Sequence, residues 1–411
     1  MQHMLYHVRM LKRHYEKIIT GCCFLFIFAN IGLASTAFSV HQPYLVAMPG
    51  IGDTGGSLIL SVRTLVSLLA MTVVDRYYRL LDVRRGVFLA CLFTCGGFLI
   101  YSVAASLPVF FAGAVFLGLG YGLGGNVAMT YLANRWFASG IGTVVGFAAM
   151  GSGLASIVMP LIVVRVIEGW SLQAAFIVEG ALAGVIGLLT FALVRNRPSD
   201  LGLQPHRGKD GKGRKAGSNV QASRAERMLL LAAMAMVGVF CCAAMTYLSV
   251  LATSSGFDTV FAAMLVSAAG IALTVAKFVA GELFDRLGGP LASGVMFGFA
   301  LVGFALACTA DLGSAALMVA AAVAMGTGLS LGSVGISIWS LDLSNPADRA
   351  KQVKNFQVAY ALGGFVANTF PGIVKDLVGS YVVSYAALFV VTALAAIIIL
   401  RFYRKFKKPT L

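Results

Sequence analysis

Residues 36–40 read Thr-Ala-Phe-Ser-Val, and residues 246–250, 210 positions later, read Thr-Tyr-Leu-Ser-Val. Asp75–Arg76 returns as Asp285–Arg286 at the same offset. A repeat of this length divides the chain into two halves, and each half contains six long apolar segments. A duplicated membrane bundle can open alternately to the two sides of a bilayer around a site at the repeat interface. The repeat therefore predicts transport.

Composition places the chain in a membrane. Hydrophobic residues make up 59% of the sequence and charged residues 11%, whereas a soluble globular protein is about 25% charged. The seven cysteines lie in apolar stretches and are interpreted as core packing. The apolar run 18–40 is too long for the core of a signal peptide and is predicted to be a retained first span.

The predicted fold is an all-α integral membrane protein with twelve transmembrane helices in two pseudo-symmetric six-helix bundles. Each segment is long enough to cross about 30 Å of hydrocarbon. We expect an N-terminal bundle over 1–194, a polar, glycine-rich cytoplasmic linker over 195–227 that acts as a mobile tether, and a C-terminal bundle with a basic tail over 228–411. The predicted spans are 18–40, 56–74, 86–105, 109–132, 141–164, 173–194, 228–252, 259–280, 290–309, 314–340, 353–374 and 382–401.

The positive charges predict the orientation. Most lysines and arginines lie in the two tails, the linker and the loops on the same side, and Arg165 and Lys375 fall on the other side. This asymmetry predicts a multi-pass protein of the inner (plasma) membrane with both termini in the cytoplasm. The net charge of +15 is then explained by topology and by anionic lipid headgroups, and nucleic acid is not an expected partner.

Three ionisable residues lie inside predicted spans: Arg63, Lys277 and Glu179. A charge at the bilayer centre costs at least about 2.5–3.5 kcal/mol, so each needs a partner or a purpose. Shifted by the repeat offset, Lys277 corresponds to Ser67, one helical turn from Arg63 on the same face. We expect both cations to point into a central cavity and to hold an anion. The alternative is that each pairs with a backbone carbonyl or a carboxylate of its own half.

Glu179 lies in the sixth span. It is expected to be a structural partner of Arg165, with proton coupling as the alternative role. Polar residues in other spans could line a cavity or connect helices; these are Asn126, Gln357, Tyr360 and Asn368.

The motifs of enzymes do not fit this chain. Residues 120–125 satisfy the dinucleotide fingerprint G-x-G-x-x-G, but they lie inside an apolar span without the required preceding strand. No Walker A loop, H-E-x-x-H motif or nucleophile elbow is found in the sequence. The prediction is a protein that is not an enzyme and uses no cofactor and no metal.

The stretch Gly281–Gly288 follows the eighth span and fits the G-x-x-x-D-R-x-G loop of the major facilitator superfamily. The whole chain resembles that superfamily. The resemblance implies that Asp285 and Arg286 form a charge latch that locks one conformation and breaks in the other. The equivalent pair in the first half is Asp75–Arg76, with Met71 at the position of the expected glycine.

Within the superfamily the chain resembles the branch of monocarboxylate transporters and oxalate:formate antiporters. The stretch 37–40 looks like the aromatic-serine-valine element of their first helix, and Lys277 matches the position of the substrate-binding arginine in their eighth helix. The stretch 136–160 is similar to their fifth-helix glycine-proline segment. Gly363 stands where the oxalate transporters have a lysine. A cation in the second span is instead a feature of the nitrate and nitrite carriers. This chain lacks the glycine signature of those carriers.

These features predict a secondary transporter of small organic anions, specifically monocarboxylates, driven by proton symport or anion exchange. Lys277 and Arg63 would hold the carboxylate, with Ser39, Tyr247 and Tyr360 as hydrogen-bond donors or cavity walls. The expected partners are the anion, the bilayer and protons or a counter-anion, and the protein is expected to be a monomer. The alternatives are a carrier of inorganic anions such as nitrate, a drug exporter, or a non-transporting receptor or intramembrane enzyme.

Overall fold

The structure is a computed structural model that describes residues 14–36, 38–41, 44–45, 48–207, 223–345, 348–367, 374 and 377–406. Apart from one isolated bridge between Phe137 and His206, these residues form helices and their connections. The chain divides into two compact units, Met1–Gly213 and Arg214–Leu411. The division falls within the predicted linker.

Within its described residues, the first unit contains six α-helices. The first of them continues as the π-helix Phe28–Thr36, which is followed by the 3-10 helix Phe38–His41. A further 3-10 helix, Pro198–Leu201, follows the last. The α-helices are α1 (Tyr15–Ile27), α2 (Gly52–Ser102), α3 (Leu107–Gly124), α4 (Asn126–Trp136), α5 (Ile141–Gly169) and α6 (Leu172–Leu193).

The second unit contains seven described α-helices, with 3-10 turns at Ala310–Leu312 and Leu329–Gly332. Its first helix begins with a capping box, in which the side chains of Ser223 and Glu226 each accept from the other residue's backbone N–H. The α-helices are α7 (Arg224–Ser254), α8 (Thr259–Leu287), α9 (Gly289–Ala307), α10 (Ala315–Gly328), α11 (Val334–Asp342), α12 (Arg349–Ala367) and α13 (Tyr381–Phe406).

The helices are those of a multi-pass membrane protein. Within the described residues, 10 helical segments are long and apolar enough to cross a bilayer. One of them, Leu58–Ser102, has 45 residues and would measure about 67 Å if straight, more than twice the hydrocarbon thickness. Helix α12 covers most of the predicted eleventh span, whose residues 368–373 lie outside the described part. If the segment in α2 crosses twice and α12 crosses once, these 10 segments are consistent with the twelve predicted spans.

Helix α2 reverses direction at Asp82, whose φ of 59° and ψ of 169° are not helical. The hydroxyl of Tyr77 donates to the carbonyl of Gly86 at 2.6 Å, although nine residues of straight helix would separate the two by about 13 Å. A Cβ atom at Gly86 would lie 2.5 Å from the ring of Tyr78, so this turn requires a glycine. The predicted second and third spans therefore meet in a very tight connection.

Close helix packing depends on glycines in both units. A Cβ atom at Gly151 of α5 would lie 2.3 Å from the carbonyl oxygen of Phe24 in α1. In the second unit, a Cβ atom at Gly363 of α12 would lie 1.9 Å from the carbonyl oxygen of Ala235 in α7. Backbones this close leave no room for any side chain.

The beginning of the predicted linker packs on the first unit. The indole of Trp136 donates to the carbonyl of Arg195 at 2.9 Å, and the backbone N–H of His206 donates to the carbonyl of Trp136 at 2.8 Å. The backbone N–H of Arg84 donates to the side chain of Asn196 at 2.9 Å. Residues 195–207 are therefore held by hydrogen bonds. Residues 208–222 of the predicted linker lie outside the described residues.

Candidate functional site

Arg63 lies in the first part of α2 and is half-buried. Its Nη1 donates to the carbonyl of Ala34 at 2.6 Å, and its Cζ lies 5.8 Å from the centre of the Phe38 ring. Ala34 is in the last turn of the π-helix, where carbonyls lack partners in their own helix. A guanidinium has five N–H donors. This hydrogen bond is the alternative that the sequence left open for Arg63, a bond to a backbone carbonyl of its own half. The guanidinium keeps further N–H donors that an anion could accept from.

Lys277 lies in α8 and is 7% exposed. The apolar surface of this helix is formed by Ile271, Val275 and Val279, which are 55%, 55% and 41% exposed. At 100° per residue, Lys277 is about 200° from Val275 and from Val279. Its ammonium group is therefore carried on the side of the helix away from the surface that a bilayer would cover.

Glu179 in α6 has a different partner from the one expected. The sequence suggested Arg165, but Arg165 is exposed whereas Glu179 is fully buried. The structure instead places Glu179 Oε2 2.9 Å from Nε2 of His41, which is also fully buried. The expected pairing is wrong because Arg165 lies on the outer surface of α5, while the 3-10 helix after the first span carries His41 inward.

The latch residues lie in corresponding helices of the two units, α2 and α8. Asp285 and Arg286 are exposed near the end of α8, and Arg286 Nη2 lies 2.5 Å from Oε1 of Glu282, one turn earlier. In the first unit, the carboxylate of Asp75 accepts a hydrogen bond of 2.8 Å from the hydroxyl of Tyr131 in α4. Its neighbour Arg76 is exposed. The two pairs lie in corresponding helices, Asp285–Arg286 near the end of α8 and Asp75–Arg76 within α2, before the reversal at Asp82. They differ in their contacts, and the latch itself stays a prediction.

The predicted polar residues of the second unit lie on two helices. Gln357 of α12 is 2% exposed, and among the described residues its Nε2 has no hydrogen-bond acceptor. Tyr360, three residues later, is half-buried with its hydroxyl 3.8 Å from Sγ of Cys242. Tyr247 of α7 is half-buried, and its ring centre is 5.9 Å from that of Tyr381. Gln357 and Tyr360 share one face of α12.

The remaining predicted residues are less informative. Asn126 is half-buried at the first position of α4. Ser39 belongs to the 3-10 helix Phe38–His41, but its side chain lies outside the described part, as do Asn368 and Lys375.

Sequence reasoning missed two polar groups that the structure makes prominent. His41 was not singled out, although it is a histidine at the end of an apolar span in a chain with one carboxylate deep in the first half. Asn30 accepts from the hydroxyl of Thr94 at 2.7 Å and donates to the carbonyl of Gly124 at 3.3 Å. This amide connects three helices of the first unit in the manner of interhelical polar contacts. An apolar-run analysis does not reveal either contact, because both join segments distant in sequence.

Known proteins share this architecture. A family model described as Major Facilitator Superfamily matches residues 20–368. The proton:xylose symporter XylE, bound to 6-bromo-6-deoxy-D-glucose, is 16% identical with a TM-score of 0.71 over 96% of each chain. The E. coli fucose:proton symporter FucP is 17% identical with a TM-score of 0.63, over 96% of this chain and 99% of its own. The human organic anion transporter MFSD10 is 14% identical with a TM-score of 0.71, over 92% and 99%. None of the curated proteins matches the sequence. Identities this low show the fold alone.

Proposed function

This chain belongs to the major facilitator superfamily, and we propose that it is a secondary active transporter of small organic anions, specifically monocarboxylates. Membrane transport follows from the family, and the anionic substrate is the proposal. Both termini are proposed to lie in the cytoplasm, and the protein is proposed to act as a monomer in the inner (plasma) membrane.

The observation that carries the proposal is the charge of the embedded residues. Arg63 and Lys277 hold cations within corresponding helices of the two halves, away from the ends of those helices. The carboxylate deep in a described span, Glu179, is fully buried beside His41. A carrier of cations needs an embedded carboxylate for its substrate, whereas a carrier of anions needs embedded cations. Arg63 and Lys277 are therefore the proposed ligands of the substrate carboxylate.

The position of Gly363 favours monocarboxylates over dicarboxylates. The oxalate transporters that this chain resembles have a lysine at this position of the eleventh span, which gives them a second cation. The Cβ clash with the carbonyl of Ala235 excludes a side chain at this position without a backbone shift. The cation that the oxalate carriers place in this span therefore has no counterpart at position 363, which argues against oxalate as the substrate. Tyr360, Tyr247, Gln357, Asn126 and Ser39 are the proposed uncharged contacts.

Uptake into proteoliposomes tests this function. The panel is labelled formate, acetate, pyruvate, oxalate, nitrate, xylose, fucose and a lipophilic drug cation, each with and without an inward proton gradient. We expect uptake of the monocarboxylates above empty liposomes, stimulated by the gradient or by a trapped counter-anion. Uptake of a sugar or of the drug cation without uptake of any anion would contradict the proposal.

A further inference from the structure

A buried acid–base pair occupies the interior of the first unit. His41 and Glu179 have fully buried side chains, and Nε2 of His41 lies 2.9 Å from Oε2 of Glu179. The other ring nitrogen, Nδ1, is 3.3 Å from the carbonyl oxygen of Phe38. Among the described residues, neither carboxylate oxygen of Glu179 accepts a hydrogen bond, and the approach of Nε2 to Oε2 is an ion-pair contact. A carboxylate with spare acceptor capacity beside an imidazole is a natural place for an additional proton.

Aromatic rings separate this pair from water. The imidazole of His41 stacks on Phe176 with centres 4.8 Å apart and lies 5.1 Å from the ring of Phe38. Tyr101 packs against both phenylalanines, and its buried hydroxyl lacks a hydrogen-bond partner within the described part of the chain. The pair therefore lies in a dry, apolar interior.

Charge balance indicates how many protons the pair holds. The protons counted are those added to a neutral imidazole and a carboxylate. With one added proton, the pair has no net charge. With two, it is an imidazolium beside a neutral carboxylic acid and has one positive charge. A net charge in a dry interior is costly unless an opposite charge lies near. The second proton therefore becomes favourable when an anion arrives close by.

Arg63 marks where that anion would bind. Its guanidinium carbon lies 5.8 Å from the centre of the Phe38 ring, and that ring centre lies 5.1 Å from the centre of the His41 imidazole. The guanidinium carbon and the imidazole centre are therefore at most about 11 Å apart. At an effective dielectric constant of about 20, unit charges at this distance change each other's binding by roughly tenfold. An empty Arg63 disfavours the second proton, and an anion on Arg63 removes that penalty.

The other ionisable groups near the pair do not replace this coupling. Helix α5 packs on the 3-10 helix Phe38–His41 and carries Arg165 and Glu168, which are both exposed. In helix α2, Arg63 and Tyr101 contact the ring of Phe38. The other described charged residues of α2 lie nearer the reversal at Asp82. Within the described residues, Arg63 is the buried or half-buried cation close to the pair.

We propose that His41 and Glu179 form the proton-binding site of the transporter and that anion binding at Arg63 drives uptake of the second proton. This inference rests on the proposed anion transport. One anion and one proton enter together, the imidazolium and the carboxylic acid hold the two protons during the crossing, and one proton leaves with the anion on the other side. The cycle is electroneutral. By linkage, the proton strengthens anion binding by the same factor.

The test separates net transport from exchange, with pyruvate as the probe. Proteoliposomes containing the parent, Glu179→Gln, His41→Gln or the double variant are assayed for accumulation driven by a proton gradient and for pyruvate–pyruvate exchange at equal pH. Glu168→Gln, which alters an exposed carboxylate of the same unit, is the matched control. Proton uptake on adding pyruvate to purified protein is measured with a pH dye, and monodispersity is checked for each variant.

We expect the parent and the control to accumulate pyruvate up to about tenfold for a gradient of one pH unit, without dependence on an imposed potassium diffusion potential. The variants should exchange pyruvate but lose accumulation and the proton taken up on binding. Retained accumulation in a monodisperse Glu179→Gln protein would overturn the inference, as would equal loss of both modes in both single variants. A parent that exchanges none of the panel anions would instead refute the proposed function itself.

Discussion

Lys277 is 7% exposed, and its sequence neighbours in α8 are Ala276 and Phe278. An ammonium in such surroundings is stabilised by an anion far more than it would be in water. Arg63 is half-buried and carries a planar guanidinium that donates to the carbonyl of Ala34. The two cations should therefore respond differently to substitution.

Replacing Lys277 with glutamine should abolish anion uptake while the protein remains inserted and folded. A charge-assisted contact contributes about 1.5–3 kcal/mol, so substrate affinity should fall by roughly 10-fold to 150-fold. Lys277→Arg keeps the charge and should retain part of the activity. Lys351→Gln, an exposed lysine of α12, is the control. Parental uptake by monodisperse Lys277→Gln protein would remove this residue from the mechanism.

Arg63→Lys should be tolerated less well than Lys277→Arg, although both exchanges keep the charge. A lysine cannot both bond the carbonyl of Ala34 and present a planar fork to a carboxylate. We expect weaker substrate binding, measured as a higher KM for uptake, with an unchanged thermal transition in detergent. A parental KM in Arg63→Lys would show that the fork is not used.

At the scale of elements, packing of α12 on α7 depends on Gly363. Because a Cβ atom there would lie 1.9 Å from a carbonyl oxygen, Gly363→Ala must push the two helices apart. Overpacking of this kind costs about 1–3 kcal/mol, and the melting temperature of the purified protein should fall by several degrees.

Gly294→Ala in α9 is the matched control, since a Cβ atom there meets nothing within 4 Å. That variant should be neutral or slightly more stable, because alanine favours a helix over glycine by about 1 kcal/mol. Equal melting temperatures for Gly363→Ala and the parent would mean that the α7–α12 packing adjusts freely.

At the scale of the whole molecule, the latch residues should affect the balance between conformations. Arg286 pairs with Glu282 at the end of α8, and Asp285 is exposed beside it. If Asp285 stabilises one state, Asp285→Asn should change the turnover rate far more than the equilibrium affinity for substrate, because it shifts a population without touching the site. Glu168→Gln serves as the control. Weakened binding with unchanged turnover would place Asp285 in or near the substrate site.

The sequence by itself determined the membrane class, the duplication, the helical spans and the family. These follow from apolar runs and from a repeat at constant offset, which are local or periodic properties that the bilayer converts directly into helices. The positions of Arg63 and Lys277 inside spans followed in the same way, because depth along a helix is proportional to residue number.

Only the tertiary structure decided which polar groups meet. Glu179 pairs with His41 instead of Arg165, and Arg63 donates to the carbonyl of Ala34. The chain also reverses at Asp82, and residues 195–207 pack on the first unit. Each of these contacts depends on helix rotation, on a π-helical turn or on a short loop. Periodicity places a residue on a face of its helix, but it does not state which neighbouring helix that face meets. The choice of partner is made by close packing of glycine-containing helices, a property of the assembled unit.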